Sequence, residues 1–358
     1  MKSFGNSFFY VNNFLVSKLE YRYSESKKKE YHITYNVNDD FIPIMGTSMI
    51  SVLENNQDVT LVFHIFTDEY SQENAKKIEE VAKKWKCTCI IYKLNMEPFH
   101  DFHIKVERFS RITYARLYMP KIVKEYTSRY IYLDADTMCV ASLDKMWEMN
   151  LHGAPMGAVS ERASAVDYRA GYLHLKSGKY FNDGVMLVDI PCWEQQYITE
   201  KAFSYQCEPR KRFLGQSQDV LNLVFDGTNF FLPDDYNVYD GGEYDRGHSV
   251  IVHWTGRRKP WQMVVSSFDE QWRRYNALSP WPTITNIHPV KKPENYHDFK
   301  YWGRYRKEKG YIGDYLTGMF WYGILKIRYK LGIWVCQVKC VSFFRYHKRR
   351  CVTSDCWL

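Results

Sequence analysis

Two aspartates separated by one residue, Asp134 and Asp136, are the part of this sequence best suited to holding a metal ion. They follow the apolar run 129–133 (RYIYL), which predicts a buried strand. Where a strand ends the chain turns, so both carboxylates can converge on one cation, and carboxylate oxygens suit Mg²⁺ or Mn²⁺. A metal there would neutralise a diphosphate leaving group. Taken alone, the triplet is more readily explained as a capped loop.

The elements that must position these aspartates alternate between strand and helix. Apolar runs predict strands at 31–37, 59–66 and 87–94, with helices at 47–54 and 71–84 between them. This alternation is typical of a parallel α/β sheet, in which ligands bind at the carboxyl ends of the strands. Further strands are predicted at 156–160, 184–188 and 249–254, and further helices at 193–205 and 218–225.

Charge and cysteine content narrow the class of protein. The net charge is +8, but thirteen lysines and arginines lie between residues 300 and 350, opposed there by Glu308 and Asp314. The basic character therefore belongs to the tail. Nine cysteines without a doubled CxxC argue against a zinc ribbon. Their odd number, and an N-terminus that does not look like a signal peptide, favour a reducing, cytoplasmic compartment.

Five short motifs give the aspartates a context. In chain order they are 113–117 (TYARL), 132–137 (YLDADT), 181–185 (FNDGV), 218–222 (QDVLN) and 253–261 (HWTGRRKPW). As an ordered set they resemble the retaining glycosyltransferases of family 8. They look closest to the bacterial branch that adds glucose or galactose to the lipopolysaccharide core. The resemblance implies a GT-A fold, an α/β, Rossmann-like, mostly parallel central sheet flanked by helices, with a small helical C-terminal extension.

The resemblance also implies which residues bind the metal and the nucleotide. Asp134, Asp136 and His253 match the ligands of Mn²⁺ or Mg²⁺, although an isolated histidine at a strand end would be read as a core residue. Residues matched to the nucleotide diphosphate and uridine of the donor are Asn36, Asn38, Asp40, Arg116, Ala135, Gly256 and Lys259. Asn38 replaces the usual aspartate, and its amide can still pair with the uracil edge. A surface salt bridge is the alternative for Arg116.

The residues matched to the donor sugar are Asn182, Gln218 and Glu161, which we take as the catalytic candidates. Glu161 is one methylene longer than the aspartate usual in the family. Asp183 replaces a small residue, and Ser217 replaces an aspartate that normally contacts the donor sugar. Asp219 is expected to be structural.

The implied function is transfer of glucose or galactose from a UDP-hexose to a saccharide, either the lipopolysaccharide core or another lipid-linked glycan, with retention of anomeric configuration. The sequence offers no obvious nucleophile of the glycosidase type, so front-face attack is expected. Ser217 and Asp183 favour an alternative, a non-catalytic relative that binds a nucleotide sugar or glycan. A nucleotidyltransferase would need phosphate-binding glycines after the first strand, which residues 38–41 (NDDF) do not provide.

The predicted domains are a mobile lead-in (1–29), a GT-A catalytic domain (30–265), a C-terminal extension (266–295) and a basic aromatic tail (296–358). Aromatic and basic side chains together favour the headgroup level of anionic lipids, so the tail is predicted to hold the protein on the inner face of the cell membrane. Single-stranded nucleic acid is bound by similar patterns, but the rest of the chain shows no nucleic-acid module. A solvated helical cap is the third interpretation.

Overall fold

The computed structural model describes residues 5–25, 29–104, 110–207, 213–240, 248–282 and 288–332. The chain divides into two units, the first made of Met1–Trp254 and Gln271–Thr283, the second of Thr255–Glu270 and Ile284–Leu358. These divisions differ from the sequence-based boundaries at 265 and 295, because residues 271–283 pack with the first unit. Residues 333–358 of the predicted tail lie outside the described part of the chain.

The described strands are β1 (Leu15–Arg22), β2 (Glu30–Asn36), β3 (Thr60–Thr67), β4 (Thr88–Leu94), β5 (Arg129–Leu133), β6 (Thr137–Cys139), β7 (Met156–Ser160), β8 (Phe181–Asp189), β9 (Phe230–Phe231), β10 (Val238–Tyr239) and β11 (Ile251–His253). The described α-helices are α1 (Val11–Phe14), α2 (Ile42–Asn55), α3 (Gln72–Trp85), α4 (Met119–Val123), α5 (Asp144–Trp147), α6 (Ala163–Leu173), α7 (Ile190–Gln195), α8 (Ile198–Ser204), α9 (Ser217–Val224), α10 (Ser267–Leu278), α11 (Tyr296–Glu308) and α12 (Ile312–Lys330). Short 3₁₀ helices include Asp39–Phe41 and Arg111–Leu117.

The central sheet has the order β1-β4-β3-β2-β5-β8-β7-β9 among the described residues. Strands β4, β3, β2 and β5 run parallel, whereas β8 pairs antiparallel with both β5 and β7. A second sheet has the order β10-β11-β6. The α/β prediction is confirmed, and the carboxyl ends of β2 and β5 lie side by side, where the sequence places Asn36 and Asp134.

The N-terminal segment differs from its prediction. Leu15–Arg22 forms β1, which pairs antiparallel with β4 and places Lys18 opposite Tyr92. The predicted mobile lead-in is therefore wrong for these residues, because their backbone groups are taken up by the edge of the sheet. Polar side chains such as Ser17 and Lys18 are exposed along this edge strand, which suits a sheet edge facing water.

Helix α3 shows how local sequence sets an element's limits. The hydroxyl of Ser71 accepts a hydrogen bond from the N–H of Asn74 at 3.2 Å, as the sequence predicts for an N-cap. Ile78 and Val81 are buried on one face of the helix. The helix ends at Trp85 and is capped by Lys86, whose φ of 52° is left-handed.

Residues 271–282 pack tightly against α2. The Trp281 ring is buried, and its Nε1 donates to Asn74 Oδ1 at 2.8 Å. A Cβ added at Gly46 would lie 2.4 Å from Trp281 Cζ3, so glycine is what allows the helix and the ring to approach.

We predict that Gly46→Ala destabilises the protein although alanine favours a helix. Overpacking costs about 1–3 kcal/mol, which exceeds the gain of roughly 0.5–1 kcal/mol from replacing a helical glycine. Gly171→Ala in α6 is the matched control, because its added Cβ would meet nothing within 4 Å. Chemical denaturation measures both free energies of unfolding; equal stability of the two variants would contradict the packing described.

Candidate active site

The loop between β5 and β6 is a tight turn that fixes the position of Asp134. The N–H of Asp134 donates to Gly184 O on β8 at 2.7 Å. Its carbonyl accepts from Thr137 twice, from the N–H at 3.2 Å and from Oγ1 at 2.8 Å. The turn therefore carries the chain from the central sheet into the second sheet within three residues.

Pairing of β6 with β11 brings His253 to the two aspartates. Thr137 lies opposite His253 in the antiparallel register, and the N–H of Trp254 donates to Asp136 O at 3.2 Å. His253 Nε2 lies 3.3 Å from Asp136 Oδ1 and 3.7 Å from Asp134 Oδ2. One ligand atom from each residue lies within 4.8 Å of the other two. The three predicted metal ligands are thus brought together.

The two carboxylate oxygens of Asp134 have different surroundings. Oδ1 accepts from Arg116 Nη2 at 2.9 Å and from the Tyr132 hydroxyl at 2.6 Å. Oδ2 faces His253 instead. Because Oδ1 already holds two donors, Oδ2 is the oxygen that Asp134 offers to a cation.

Arg116 is buried and surrounded by acceptors. Its Nη1 lies 2.8 Å from both Asp183 Oδ2 and Asp183 O, and its Nε donates to Thr113 O at 3.1 Å. Burial alone lowers the pKa of Arg116, but the negative charges of Asp183 and Asp134, with Tyr132, raise it above its usual value. The arginine is permanently charged and holds two acidic groups in place; its predicted contact with the donor diphosphate stays a prediction.

Asp183 and Ser217 are in direct contact. The Ser217 hydroxyl donates to Asp183 Oδ2 at 2.9 Å. Burial raises the pKa of Asp183 to about 6; the Asp134 charge adds to this, whereas Arg116 and Ser217 oppose it. The two departures noted separately in the sequence therefore form one hydrogen-bonded pair between β8 and the start of α9.

The catalytic candidates lie along β8 and its neighbours. Asn182 Nδ2 donates to Glu161 Oε2 at 3.0 Å, and Gln218 Oε1 accepts from the Asp183 N–H at 3.3 Å. Asp219 faces away into protein, where it accepts from the Tyr180 hydroxyl at 2.6 Å and the Gly215 N–H at 2.7 Å.

Sequence reasoning missed Asn237. Its Oδ1 lies 3.0 Å from His253 Nδ1, and its Nδ2 donates to Asn182 Oδ1 at 2.9 Å. The residue directly precedes β10, which pairs in parallel with β11, and no sequence motif indicates this pairing.

The three residues predicted to bind the uridine, Asn36, Asn38 and Asp40, differ in their hydrogen bonds and exposure. Asn36 Nδ2 donates to Ile112 O at 2.9 Å, and its Oδ1 contacts the Tyr132 hydroxyl, whose one hydrogen is shared between Asn36 and Asp134. Asn38 Oδ1 accepts from the Phe41 N–H at 3.2 Å and so caps a 3₁₀ helix, while Asp40 is exposed. Only Asn36 is linked to the aspartates through these bonds, by way of Tyr132.

The remaining predicted nucleotide contacts belong to different units. Ala135 is buried between the two aspartates. Gly256 and Lys259 lie in the second unit, where Arg258 Nη1 lies 2.7 Å from the buried Asp269 Oδ2. The role of Gly256 and Lys259 at a diphosphate stays a prediction.

The Asp134–Asp136–His253 cluster fits a divalent cation. A Cβ added at Gly184 would lie 2.2 Å from His253 Cε1 and 2.7 Å from Asp134 Oδ2, so the cluster requires a residue without a side chain at position 184. Two carboxylates and one imidazole are suitable donors for Mn²⁺ or Mg²⁺. The cluster is partly exposed, so exchangeable ligands can complete the coordination.

Comparison with known proteins gives consistent matches. A family model described as glycosyl transferase family 8 matches residues 32–264. The lipopolysaccharide 1,3-galactosyltransferase of Salmonella typhimurium is 25% identical over 299 residues, which are 79% of this chain and 88% of that protein. The lipopolysaccharide 1,2-glucosyltransferase of Escherichia coli K12 is 27% identical over 245 residues, 64% and 72% of the respective chains.

A solved structure shows the same fold. It is that of the galactosyltransferase LgtC in complex with donor and acceptor sugar analogs, which aligns with a TM-score of 0.61 at 20% identity. The alignment covers 70% of this chain and 96% of that one.

We predict that Gly184→Ala weakens Mn²⁺ binding by tenfold to a hundredfold or more, since the added methyl displaces His253 and Asp134; losses of about this size follow even from indirect disturbance of metal ligands. Isothermal titration of the purified protein measures the affinity. Gly157→Ala is the control, because its added Cβ would crowd side chains that are not part of the cluster, Leu151 and Leu232, at 3.0 Å each. Wild-type affinity in Gly184→Ala would exclude the cluster as the binding site.

Proposed function

The chain belongs to glycosyl transferase family 8, and on this premise we propose that it moves glucose or galactose from a UDP-sugar to a saccharide acceptor. The observation that carries the proposal is the convergence of Asp134, Asp136 and His253 within the segment that the family model matches. The two named relatives transfer galactose and glucose, and this supports a hexose as the group transferred.

The acceptor that we propose is the lipopolysaccharide core or another lipid-linked glycan. The support is that the relatives named for lipopolysaccharide share most of their length with this chain, 88% and 72% respectively. Glucose and galactose differ at a single hydroxyl, so the choice of donor depends on a few polar contacts in the sugar pocket.

Asp134, Asp136 and His253 would hold Mn²⁺ or Mg²⁺, which when bound offsets the charge of the departing diphosphate. The chain's own residues prepare the rest of the site. Arg116 keeps Asp134 turned so that Oδ2 faces the cluster. Glu161 and Asn182, bonded to each other at 3.0 Å, present oxygen and nitrogen atoms suited to sugar hydroxyls.

We assign Gln218 to the anomeric carbon. The N–H of Asp183 holds its amide oxygen at 3.3 Å, which supports a fixed oxygen that stabilises a cationic sugar. The acceptor hydroxyl forms the new C1–O bond on the face from which the diphosphate leaves, and a phosphate oxygen takes its proton. This front-face course retains the anomeric configuration.

The non-catalytic alternative rests on the absence of a carboxylate at position 217. Asp183 supplies a carboxylate next to this position: its Oδ2 accepts a hydrogen bond from the Ser217 hydroxyl at 2.9 Å. A carboxyl group is therefore retained at this place in the fold, although it comes from β8 rather than α9. This arrangement favours the catalytic proposal.

The second unit supports the proposed association with a membrane surface. Helices α11 and α12 approach at glycines, since a Cβ added at Gly318 would lie 2.8 Å from Gly303 Cα. Leu325 is buried, whereas the opposite side of α12 exposes an apolar stripe consisting of Ile312, Leu316, Phe320, Ile324, Ile327 and, at its end, Leu331. With 3.6 residues per turn, these positions cover an arc of about 120°.

Basic side chains accompany this stripe. Arg328 and Lys330 lie in the last turn of α12, at the end of the stripe that contains Ile327 and Leu331. Apolar contact combined with positive charge suits a helix lying on an anionic bilayer. Among the described residues no helix is both long enough and apolar enough to cross a membrane. We propose that the inner face of the cell membrane is where the protein meets its acceptor.

We predict that Asp136→Asn lowers transfer from UDP-glucose or UDP-galactose by roughly a hundredfold or more, because several kcal/mol of charge stabilisation are lost. Release of UDP with and without Mn²⁺, followed by NMR of the product linkage, measures rate, metal requirement and anomeric configuration. Asp58→Asn, in an exposed turn before β3, is the control. Full turnover by Asp136→Asn would refute the metal assignment.

We predict that Leu316→Glu combined with Phe320→Glu abolishes co-sedimentation with vesicles containing phosphatidylglycerol, because it places two negative charges in the apolar stripe. Tyr168→Glu on α6, where the side chain is 62% exposed like that of Leu316, should leave binding intact. Vesicles of phosphatidylcholine alone should bind weakly. Equal sedimentation of the double variant and the control would show that α12 is not the membrane-facing surface.

A further inference from the structure

A continuous chain of buried hydrogen bonds leads from the backbone of β8 to the imidazole of His253. The Gly184 N–H donates to Asn182 Oδ1 at 2.9 Å, and Asn237 Nδ2 donates to the same oxygen at 2.9 Å. Asn237 Oδ1 in turn lies 3.0 Å from His253 Nδ1. Asn182, Asn237 and His253 are all buried, so water is largely excluded from these bonds.

The first bond of this chain determines the direction of the others. A backbone N–H can only donate, so the Asn182 atom that faces Gly184 must be the carbonyl oxygen. That oxygen can only accept, so Asn237 must present its NH₂ group to it. The carbonyl oxygen of Asn237 is then left facing His253, and Nδ1 must carry the hydrogen that it accepts.

A hydrogen on Nδ1 determines the state of the other ring nitrogen, Nε2. A neutral imidazole with its hydrogen on Nδ1 has a lone pair on Nε2, the atom that lies 3.3 Å from Asp136 Oδ1 and 3.7 Å from Asp134 Oδ2. In the opposite tautomer, Nε2–H would donate to these carboxylates. The Nε2 lone pair that a cation needs would be lost. Nδ1 would then carry a lone pair of its own, which would face the lone pairs of Asn237 Oδ1 with no hydrogen between them.

The same chain reaches the proposed sugar site. Asn182 uses its remaining group, Nδ2, to donate to Glu161 Oε2 at 3.0 Å. This bond agrees with the assigned orientation of Asn182, because an ionised carboxylate has no hydrogen to donate and must be the acceptor. His253 and Glu161 are therefore joined through two asparagines, each of which has a fixed orientation.

We propose that Asn237 is a positioning residue that holds His253 in the Nδ1–H tautomer, so that Nε2 is ready for the cation, and that anchors Asn182 beneath Glu161. The inference rests on the proposed function only in taking the Asp134–Asp136–His253 cluster as the metal site. Partners that orient a metal-bound histidine contribute about tenfold to a hundredfold to metal affinity.

The first test needs neither metal nor substrate. Protein labelled with ¹⁵N-histidine is studied metal-free by long-range ¹H–¹⁵N correlation NMR, and His253 is assigned by loss of its signals in His253→Gln. The neutral ring is expected to show a protonated Nδ1 and an unprotonated Nε2. The reverse pattern would overturn the proposal, whatever the protein's activity.

Two variants of Asn237 separate its two roles. Asn237→Leu removes the acceptor, so the tautomer preference should be lost and Mn²⁺ affinity should fall by about tenfold to a hundredfold in titration calorimetry. Asn237→Asp keeps an acceptor for Nδ1–H but cannot donate to Asn182. It should keep the tautomer and Mn²⁺ affinity, while KM for the UDP-sugar rises.

Asn56→Leu is the matched control, because Asn56 is equally buried and its amide bonds the backbone of Val52 and Leu143. It should lower thermal stability yet leave the His253 tautomer and Mn²⁺ affinity unchanged. Folded Asn237→Leu with wild-type Mn²⁺ affinity would overturn the positioning role. If the wild-type protein shows the expected tautomer but binds no Mn²⁺, the metal assignment fails and the tautomer inference stands.

Discussion

The buried guanidinium of Arg116 allows acidic groups to gather at the carboxyl end of β5. Asp134 and Asp183 are both close to it, at 2.9 Å and 2.8 Å, and Asp183 is almost wholly removed from water. Carboxylates this close would repel one another without a counter-charge. Breaking a buried pair by removing one partner typically costs about 3–5 kcal/mol, because the other charge is left uncompensated. The Asp134–Asp136–His253 cluster therefore depends on the ion pairs that Arg116 forms with Asp134 and Asp183.

Protein neighbours contact Asp134 and His253 from one side. Arg116 and Tyr132 occupy one oxygen of Asp134, and the amide of Asn237 faces one nitrogen of His253. In both residues the partners on the protein side leave the opposite atom directed at the cluster. Gly184 lies between these two residues and supplies space rather than a side chain. The Asp134–Asp136–His253 cluster is thus organised by neighbours that bond Asp134 and His253 from the protein side.

Much of this site could be predicted from sequence, because its most informative residues form local motifs. Asp134 and Asp136 follow a strand whose limits, 129–133, match the prediction, and His253 ends β11, which lies inside the predicted strand 249–254. Ser71 is likewise a local signal, since a cap acts within one helical turn. By contrast, β1 was missed, because its pairing with β4 joins residues about seventy positions apart in the chain.

Asn237 and the Asp183–Ser217 pair could not be identified in the same way. Asn237 reaches His253 only because β10 and β11 pair in parallel, and no local pattern encodes that register. Asp183 and Ser217 looked like two independent departures, whereas the fold places their oxygens 2.9 Å apart.

The central claim is that one cation is shared by Asp134, Asp136 and His253. Anomalous diffraction at the manganese edge, from crystals grown with MnCl₂ and UDP, tests it most directly. The account predicts an anomalous peak bonded to Asp134 Oδ2, an oxygen of Asp136 and His253 Nε2, next to the diphosphate. A fully occupied peak elsewhere, with these three side chains unligated, would contradict it.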